Sequence, residues 1–164
     1  MRLLTVSILL LALARACPGP DAADLDAAGE AVVRHLVEQN FGAYETSPWE
    51  VVCLRVRDEF QDEAGLLRRF EGDGTPESAP FPPVVPADRC QAADEERGQR
   101  WLVNGTGEVG LLIELREAER AGEGRLRIEA GASGGPIDFS VYECMLERKE
   151  EGWVVQECHA FIMT

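Results

Sequence analysis

The chain has 164 residues, 45% of them apolar, which suits one domain with a real hydrophobic core and excludes wholesale disorder. Its 16 basic and 30 acidic residues leave a net charge of −14, a surface that repels nucleic acid and anionic headgroups. That balance excludes a nucleic-acid partner and leaves room for a cationic one.

Arg2, the apolar run from Leu3 to Leu13 interrupted by Thr5 and Ser7, and Ala14-Arg15-Ala16 are the three parts of a secretory signal. The run is too short to span a bilayer, and Pro18-Gly19-Pro20 would break a continuing helix. Residues 1–16 are therefore expected to be a signal peptide cut between Ala16 and Cys17. Its loss removes two of the 16 basic residues (Arg2 and Arg15) and no acid, leaving 14 against 30, or −16.

Cys17 then has two fates. Ordinary signal peptidase would leave it as a free N-terminal thiol. Lipoprotein processing would acylate it, although Ala14 and Arg15 stand where the bacterial lipobox favours Leu and a small residue. Parity favours the lipid: five cysteines leave one unmatched in an exported chain, and acylating Cys17 leaves Cys53, Cys90, Cys144 and Cys158. Residues 17–23 read as a flexible tether, and residues 24–164 as a single domain. The expected location is the periplasm or the membrane surface of a bacterial envelope, with the membrane touched only through Cys17.

A helix is expected from an Asp24 cap to about Asn40, with Leu25, Ala28, Gly29, Val32 and Leu36 on one face and His35 at its border. Gly42 would end it. A strand follows over 50–57, in which Val52, Leu54 and Val56 alternate with Cys53, Arg55 and Arg57. Asp62 to Phe70 reads as a short helix with Leu66, Leu67 and Phe70 inward. Residues 72–88 hold five of the nine prolines and read as an irregular loop anchored by Cys90, with Phe81 near its tip.

From Trp101 onward the pattern is β. Asn104-Gly105-Thr106 is a glycosylation sequon and also a turn signal; the turn is the expectation. Apolar residues alternate over 109–115 and again over 125–130, joined by Ala121-Gly122-Glu123-Gly124. Ala130-Gly131-Ala132-Ser133-Gly134-Gly135-Pro136 lacks the ending of a phosphate-binding loop and is read as a bulge or wide turn. Ile137 to Arg148 and Trp153 to Met163 form a last hairpin. The class is α+β: an N-terminal helix packed on an antiparallel meander.

The last hairpin pairs the cysteines. If Glu150-Glu151-Gly152 is a three-residue loop, Lys149 faces Trp153 and Cys144 falls opposite Cys158, at a separation a disulfide can bridge. Cys53 and Cys90 pair by elimination. No C-x-x-C or paired-histidine spacing supports a metal, and no cofactor motif is present. Cys158 and His159 are adjacent on a strand and point to opposite faces, so they would not share a thiol site.

A helix, the strand bearing Cys53, a Pro-rich loop ending at Cys90 and a meander closing with Tyr142-x-Cys144-x-Leu146-x-Arg148 and Gly152-Trp153-x-Val155 resemble the NTF2-like, or SnoaL-like, α+β roll. The layout is also similar to small exported bacterial proteins. That resemblance implies a curved sheet and helix enclosing a cavity, in which some members are isomerases or cyclases using Asp, Tyr or His. Asp138, Tyr142 and His159 are the residues here that could act so. The helix-on-sheet plan also resembles cystatin-like inhibitors, but Trp101 stands where their Gln-x-Val-x-Gly signature begins. The leading expectation is a non-catalytic module binding an envelope protein or small ligand. The alternatives are an isomerase or cyclase using those three residues and an inhibitor presenting loop 72–88.

Overall fold

The computed structural model describes residues 21–41, 49–57, 60, 62–71, 81–95, 98–136 and 138–162. The leader, Cys17, Gly42, most of loop 72–88, Ile137 and Met163 lie outside the described residues. Helix α1 is Ala22–Phe41, so residues 22 and 23 belong to it and not to the tether. Its cap is Asp21, not Asp24: the Asp21 carboxylate accepts the N–H of Asp24 at 2.8 Å, the usual reach of a cap to the third helical residue. Leu25, Ala28, Gly29, Val32 and Leu36 are buried as their spacing predicts, and Val33 and Val37 join them. The wider stripe is what a helix needs when it lies on a broad sheet and not on a single partner.

After α1 come β1 (Val51–Val56), the short helix α2 (Glu63–Arg68), β2 (Val84–Pro86), a 3-10 turn (Ala87–Arg89), β3 (Cys90–Glu95) and β4 (Gly98–Val103). Four long strands complete the chain: β5 (Val109–Gly122), β6 (Arg125–Gly135), β7 (Asp138–Lys149) and β8 (Gly152–Ile162). They make one sheet of eight strands in the order β2-β1-β5-β6-β7-β8, with β3 paired to β4 and β4 to the start of β5.

The α+β class holds, with one long helix and a mostly antiparallel sheet. It is not a pure antiparallel meander. β5 to β8 do form one, but β1 runs parallel to both β2 and β5. Parallel neighbours need a long crossover, and α2 through β4 supply it. β2 and the start of the 3-10 turn fall within 72–88, which reads as irregular loop, and β3 occupies a stretch left unassigned, because Cys90-Gln91-Ala92-Ala93-Asp94-Glu95 has no apolar alternation.

α1 packs on one face of the sheet. Val52, Leu54, Leu111, Ile113, Leu115, Leu126, Ile128, Cys144 and Leu146 meet the helix stripe there, with Phe60 and Leu66 closing the side. A smaller cluster lies on the other face: Cys53, Ala87 and Leu112, flanked by Cys90 and Trp101.

Cys53 is bonded to Cys90, with Cα atoms 6.2 Å apart, and Cys144 to Cys158, with Cα atoms 4.1 Å apart. Such cross-links fit a chain that folds where thiols oxidise. No helix among the described residues is long and apolar enough to cross a membrane.

Cys144 does face Cys158, but not by the expected route. The loop has two residues, Glu150 and Glu151, so Lys149 faces Gly152 and Arg148 faces Trp153. Gly152 takes the turn's positive φ, +133°. That register would put Cys144 opposite Glu157. Farther along, Val155 faces Leu146 and Glu157 faces Met145, so Gln156 is bulged out and the register slips by one. The bulge absorbs the residue assigned above to the loop, and Cys158 arrives on the same face as Cys144.

Of the two readings of the glycine-rich segment, the bulge holds and the wide turn does not. The segment continues β6 to Gly135, with an irregularity between Ser133 and Gly135. Its glycines admit aromatic rings from elsewhere: a Cβ on Gly131 would collide with the Phe139 ring, and one on Gly134 with the Trp49 ring.

At the corner of α1 and α2, Asp62 caps α2 by accepting the Gly65 N–H at 2.7 Å. Asp26 of α1 faces the same spot, and its pKa is raised by desolvation first and by the Asp62 charge second, against weaker pulls from Arg69 and Arg68. A carboxyl that binds its proton more tightly when folded carries a cost at neutral pH, relieved as pH falls through the folded pKa. Asp26→Asn is therefore expected to raise the melting temperature at pH 7, with the gain shrinking as the buffer is taken into the acid range. A gain that grows on acidification would contradict the assignment.

Deletion of Gln156 gives a second expectation. Without the bulged residue, Val155 and Glu157 become consecutive, and every pairing on either side is retained. Peptide mapping of the deletion variant without reductant should still find Cys144 joined to Cys158; loss of that peptide pair would refute the bulge.

Candidate functional site

The three residues raised by the roll resemblance do not converge. Tyr142 points to the helix-covered face, in register with Ala130 and Ala160 and packed against the core. His159 lies on the opposite face, directly across from Glu143, with its Nε2 3.3 Å from Glu157 Oε2. Asp138 opens β7, and its side chain lies outside the described residues. The space between α1 and the sheet, where a roll would keep its cavity, is filled by fully buried Val32, Leu36, Leu54, Ile113, Leu115 and Ile128. His35 sits half-buried beside Gln39, with Nε2 2.8 Å from the amide.

Phe81 is no exposed tip. It is partly buried, its ring 5.6 Å from that of Phe70, and the Arg34 guanidinium stands 4.8 Å above it. Asn104-Gly105-Thr106 is a turn between β4 and β5, with Gly105 and Gly107 at positive φ. Among the described residues, no three of the His, Cys, Asp and Glu side chains are grouped to hold a metal ion.

What the fold does assemble is the face of β5 to β8 turned away from α1. Period-two alternation sends every second residue there, and the register aligns them in rows across the strands. One row is Glu117, Glu129, Glu143 and His159; the next is Glu119, Arg127, Met145 and Glu157. Like charges directly opposite one another are unfavourable, so three successive carboxylates need counter-charges. Arg127 supplies one. It donates to Glu143 Oε2 at 2.8 Å and to Glu119, and hydrogen bonds to Glu119 and then Glu143 raise its pKa. Arg116, the extra residue of a bulge in β5, supplies the other, donating to Glu129 Oε1 at 2.8 Å and lying 5.6 Å over the Phe139 ring. Glu117, Ala118, Glu119, Arg127, Glu129 and Glu143 line a shallow depression of about 220 Å³.

Toward β1 this face closes over. Glu114 is 3% exposed; Arg57 donates to its carboxylate, and Arg116 Nε lies 3.9 Å away. Beyond it Trp101 Nε1 donates to Ser133 Oγ at 3.1 Å, beside the Cys53–Cys90 cluster. Toward β8 the face opens: Phe161 is 54% exposed and Val154 42%. None of these residues is singled out by local pattern. Arg57 and Glu114 sit at ordinary alternating positions, Arg116 is the bulged residue of β5, and only the register makes Arg57 and Glu114 neighbours.

Comparison of the chain with protein-family models, curated proteins and solved structures returns no match.

Glu114 gives the site's clearest energetic test. Removing Arg57 leaves a buried carboxylate with one more distant cation. Arg57→Met should cost about 1–2 kcal/mol, less than a fully buried pair because Arg57 itself is half-exposed. Adding Glu114→Gln should recover most of the loss in a denaturant titration. An additive double mutant would show that the pair does not interact.

Proposed function

We propose that the chain is an exported, non-catalytic binding module of a bacterial envelope, and that the uncovered face of β5 to β8 is its contact surface. The observation that carries this reading is the filled interior between α1 and the sheet, where an NTF2-like roll would keep its ligand cavity. With that space filled by core side chains among the described residues, the broad feature available for contact is the patterned outer face. Its rows hold more Glu than Arg, which favours a partner presenting basic groups.

The leader and the four paired cysteines support maturation outside the cytoplasm. Acylation of Cys17 would leave residues 17–21 as a short leash, holding the domain near the membrane. The isomerase reading has little support, because Tyr142 and His159 stand on opposite faces.

The experiment is photo-crosslinking in cells, with the chain expressed from its own leader. Its intact mass should first show loss of residues 1–16, with or without acyl groups on Cys17. A photoreactive residue at Glu117 or Glu129 should then give a discrete adduct with an envelope protein, weakened by salt. The same probe at Glu38, on the exposed side of α1, should not. Equal adducts from both faces, or a mass retaining the leader, would refute the proposal.

A further inference from the structure

The free edge of β8 carries a second surface, adjoining the face just described and sharing His159 with it. On β7, Arg148 N–H donates to Gly124 O at 2.8 Å, and alternation by two turns the backbone groups of Leu146, Cys144 and Tyr142 toward β6. Cys144 and Cys158 therefore form a pair without mutual backbone hydrogen bonds, as their 4.1 Å Cα separation also indicates. It follows that the N–H and C=O groups of Cys158, Ala160 and Ile162 point away from β7. Among the described residues no strand lies on that side, and His159, Ala160 and Phe161 are exposed.

Proteins blunt such edges with charge, proline or a bulge. The Gln156 bulge and Glu157 do this for the first half of β8. Beyond Glu157 the sequence is Cys158-His159-Ala160-Phe161-Ile162-Met163-Thr164, without an acid, a lysine or a proline, in a chain that holds 30 acids.

We propose that this edge pairs with the same edge of a second copy of the chain, antiparallel about a two-fold axis at Ala160. Charge selects the occupant: a copy as acidic as this one can approach closely only along a line without carboxylates, whereas a basic partner is drawn to the Glu rows. Register selects the axis. Cys158, Ala160 and Ile162 are the outward residues of the straight run, and Ala160 is the middle one. An axis at Cys158 would press the Gln156 bulge against Ala160 of the second copy. With the axis at Ala160, Cys158 pairs with Ile162 in both directions, giving about six interchain hydrogen bonds. His159 then lies across from Phe161 of the second copy, twice, on the outer face, and Glu157 falls outside the paired run. The interface is isologous and closes after two copies.

Sedimentation velocity on the full chain, expressed with its own leader and recovered oxidised, tests this across about two decades of concentration. The expected result is a shift from monomer to dimer. Ala160→Pro removes only an outward N–H, and Phe161→Lys puts a charge against His159 of the second copy; each should weaken the dimer by about tenfold or more. Circular dichroism and disulfide mapping should match the unmodified chain. If Ala160→Pro fails to fold, Phe161→Lys decides alone, because it changes an exposed side chain. A chain monomeric throughout, or a dimer that survives Phe161→Lys unweakened, overturns the proposal.

Discussion

One long helix can cover one face of a sheet and no more, and most of this structure follows from that. α1 takes the face that collects Leu111, Ile113, Leu115, Leu126, Ile128 and Leu146, and the core closes there. Among the described residues no α-helix lies on the other face of β5 to β8, so its positions must be compatible with water or find cover of another kind. Near β1 the cover is Trp101 and the Cys53–Cys90 cross-link. Over the middle it is the interleaving of Glu with Arg116 and Arg127. The ion pairs are thus a consequence of the fold being one-sided. Exposed pairs of this kind contribute little stability each; their larger effect is to set which residues can occupy neighbouring rows.

The two disulfides act at opposite margins of the sheet, Cys53–Cys90 on the face away from α1 and Cys144–Cys158 on the face that α1 covers. β3 and β4 join the ladder of the sheet through two pairings of β4 with β5, Trp101 with Gly110 and Leu102 with Val109, beside the Trp101 hydrogen bond to Ser133. That is a weak attachment for a hairpin. Bonding Cys90 to Cys53, at a sequence separation of 37, removes about 3–4 kcal/mol of chain entropy from the unfolded state and fixes the hairpin's start against β1. Cys144–Cys158 closes a shorter loop, but it pins an edge strand that has a ladder on one side only.

Sequence made some of this legible and hid the rest for identifiable reasons. β5 to β8 announce themselves because each alternates and each is joined to the next by a short turn with glycine. The parallel placement of β1 leaves no local trace, since alternation marks a strand without naming its neighbours. β3 escapes because it holds no large apolar residue, and the apolar Trp101, Leu102 and Val103 that pair with its first half lie on another strand. The glycines of β6 look like loop because the rings that occupy their missing side chains, Trp49 and Phe139, come from elsewhere in the chain. The pairing of Cys144 with Cys158 was readable while its cause was not: counting residues shows one to spare between the cysteines, and a longer turn and a downstream bulge account for it equally well. The candidate surface was the least legible of all. Glu117, Glu129 and Glu143 are unremarkable one by one, and become a row only through two registers, one of which depends on the bulge at Arg116.

The position of the Gln156 bulge also divides β8 in two. Before it, Trp153 and Val155 pack into the core, and the cation of Arg148 lies 5.8 Å over the Trp153 ring while its guanidinium pairs with Asp24 of α1. That half is tied to the helix from both sides of the hairpin. After it, the strand is held to β7 by its ladder and by Cys158, and His159 and Phe161 face water. A bulge placed between an anchored half and an exposed half increases the local twist, so the exposed half need not follow the direction that packing under α1 imposes. A three-residue turn would have delivered the same cysteine pairing with β8 running straight beyond it. The bulge delivers it while adding twist between the two halves, and the far half stays joined to the core through Cys158 and its ladder to β7 as His159 and Phe161 turn to water.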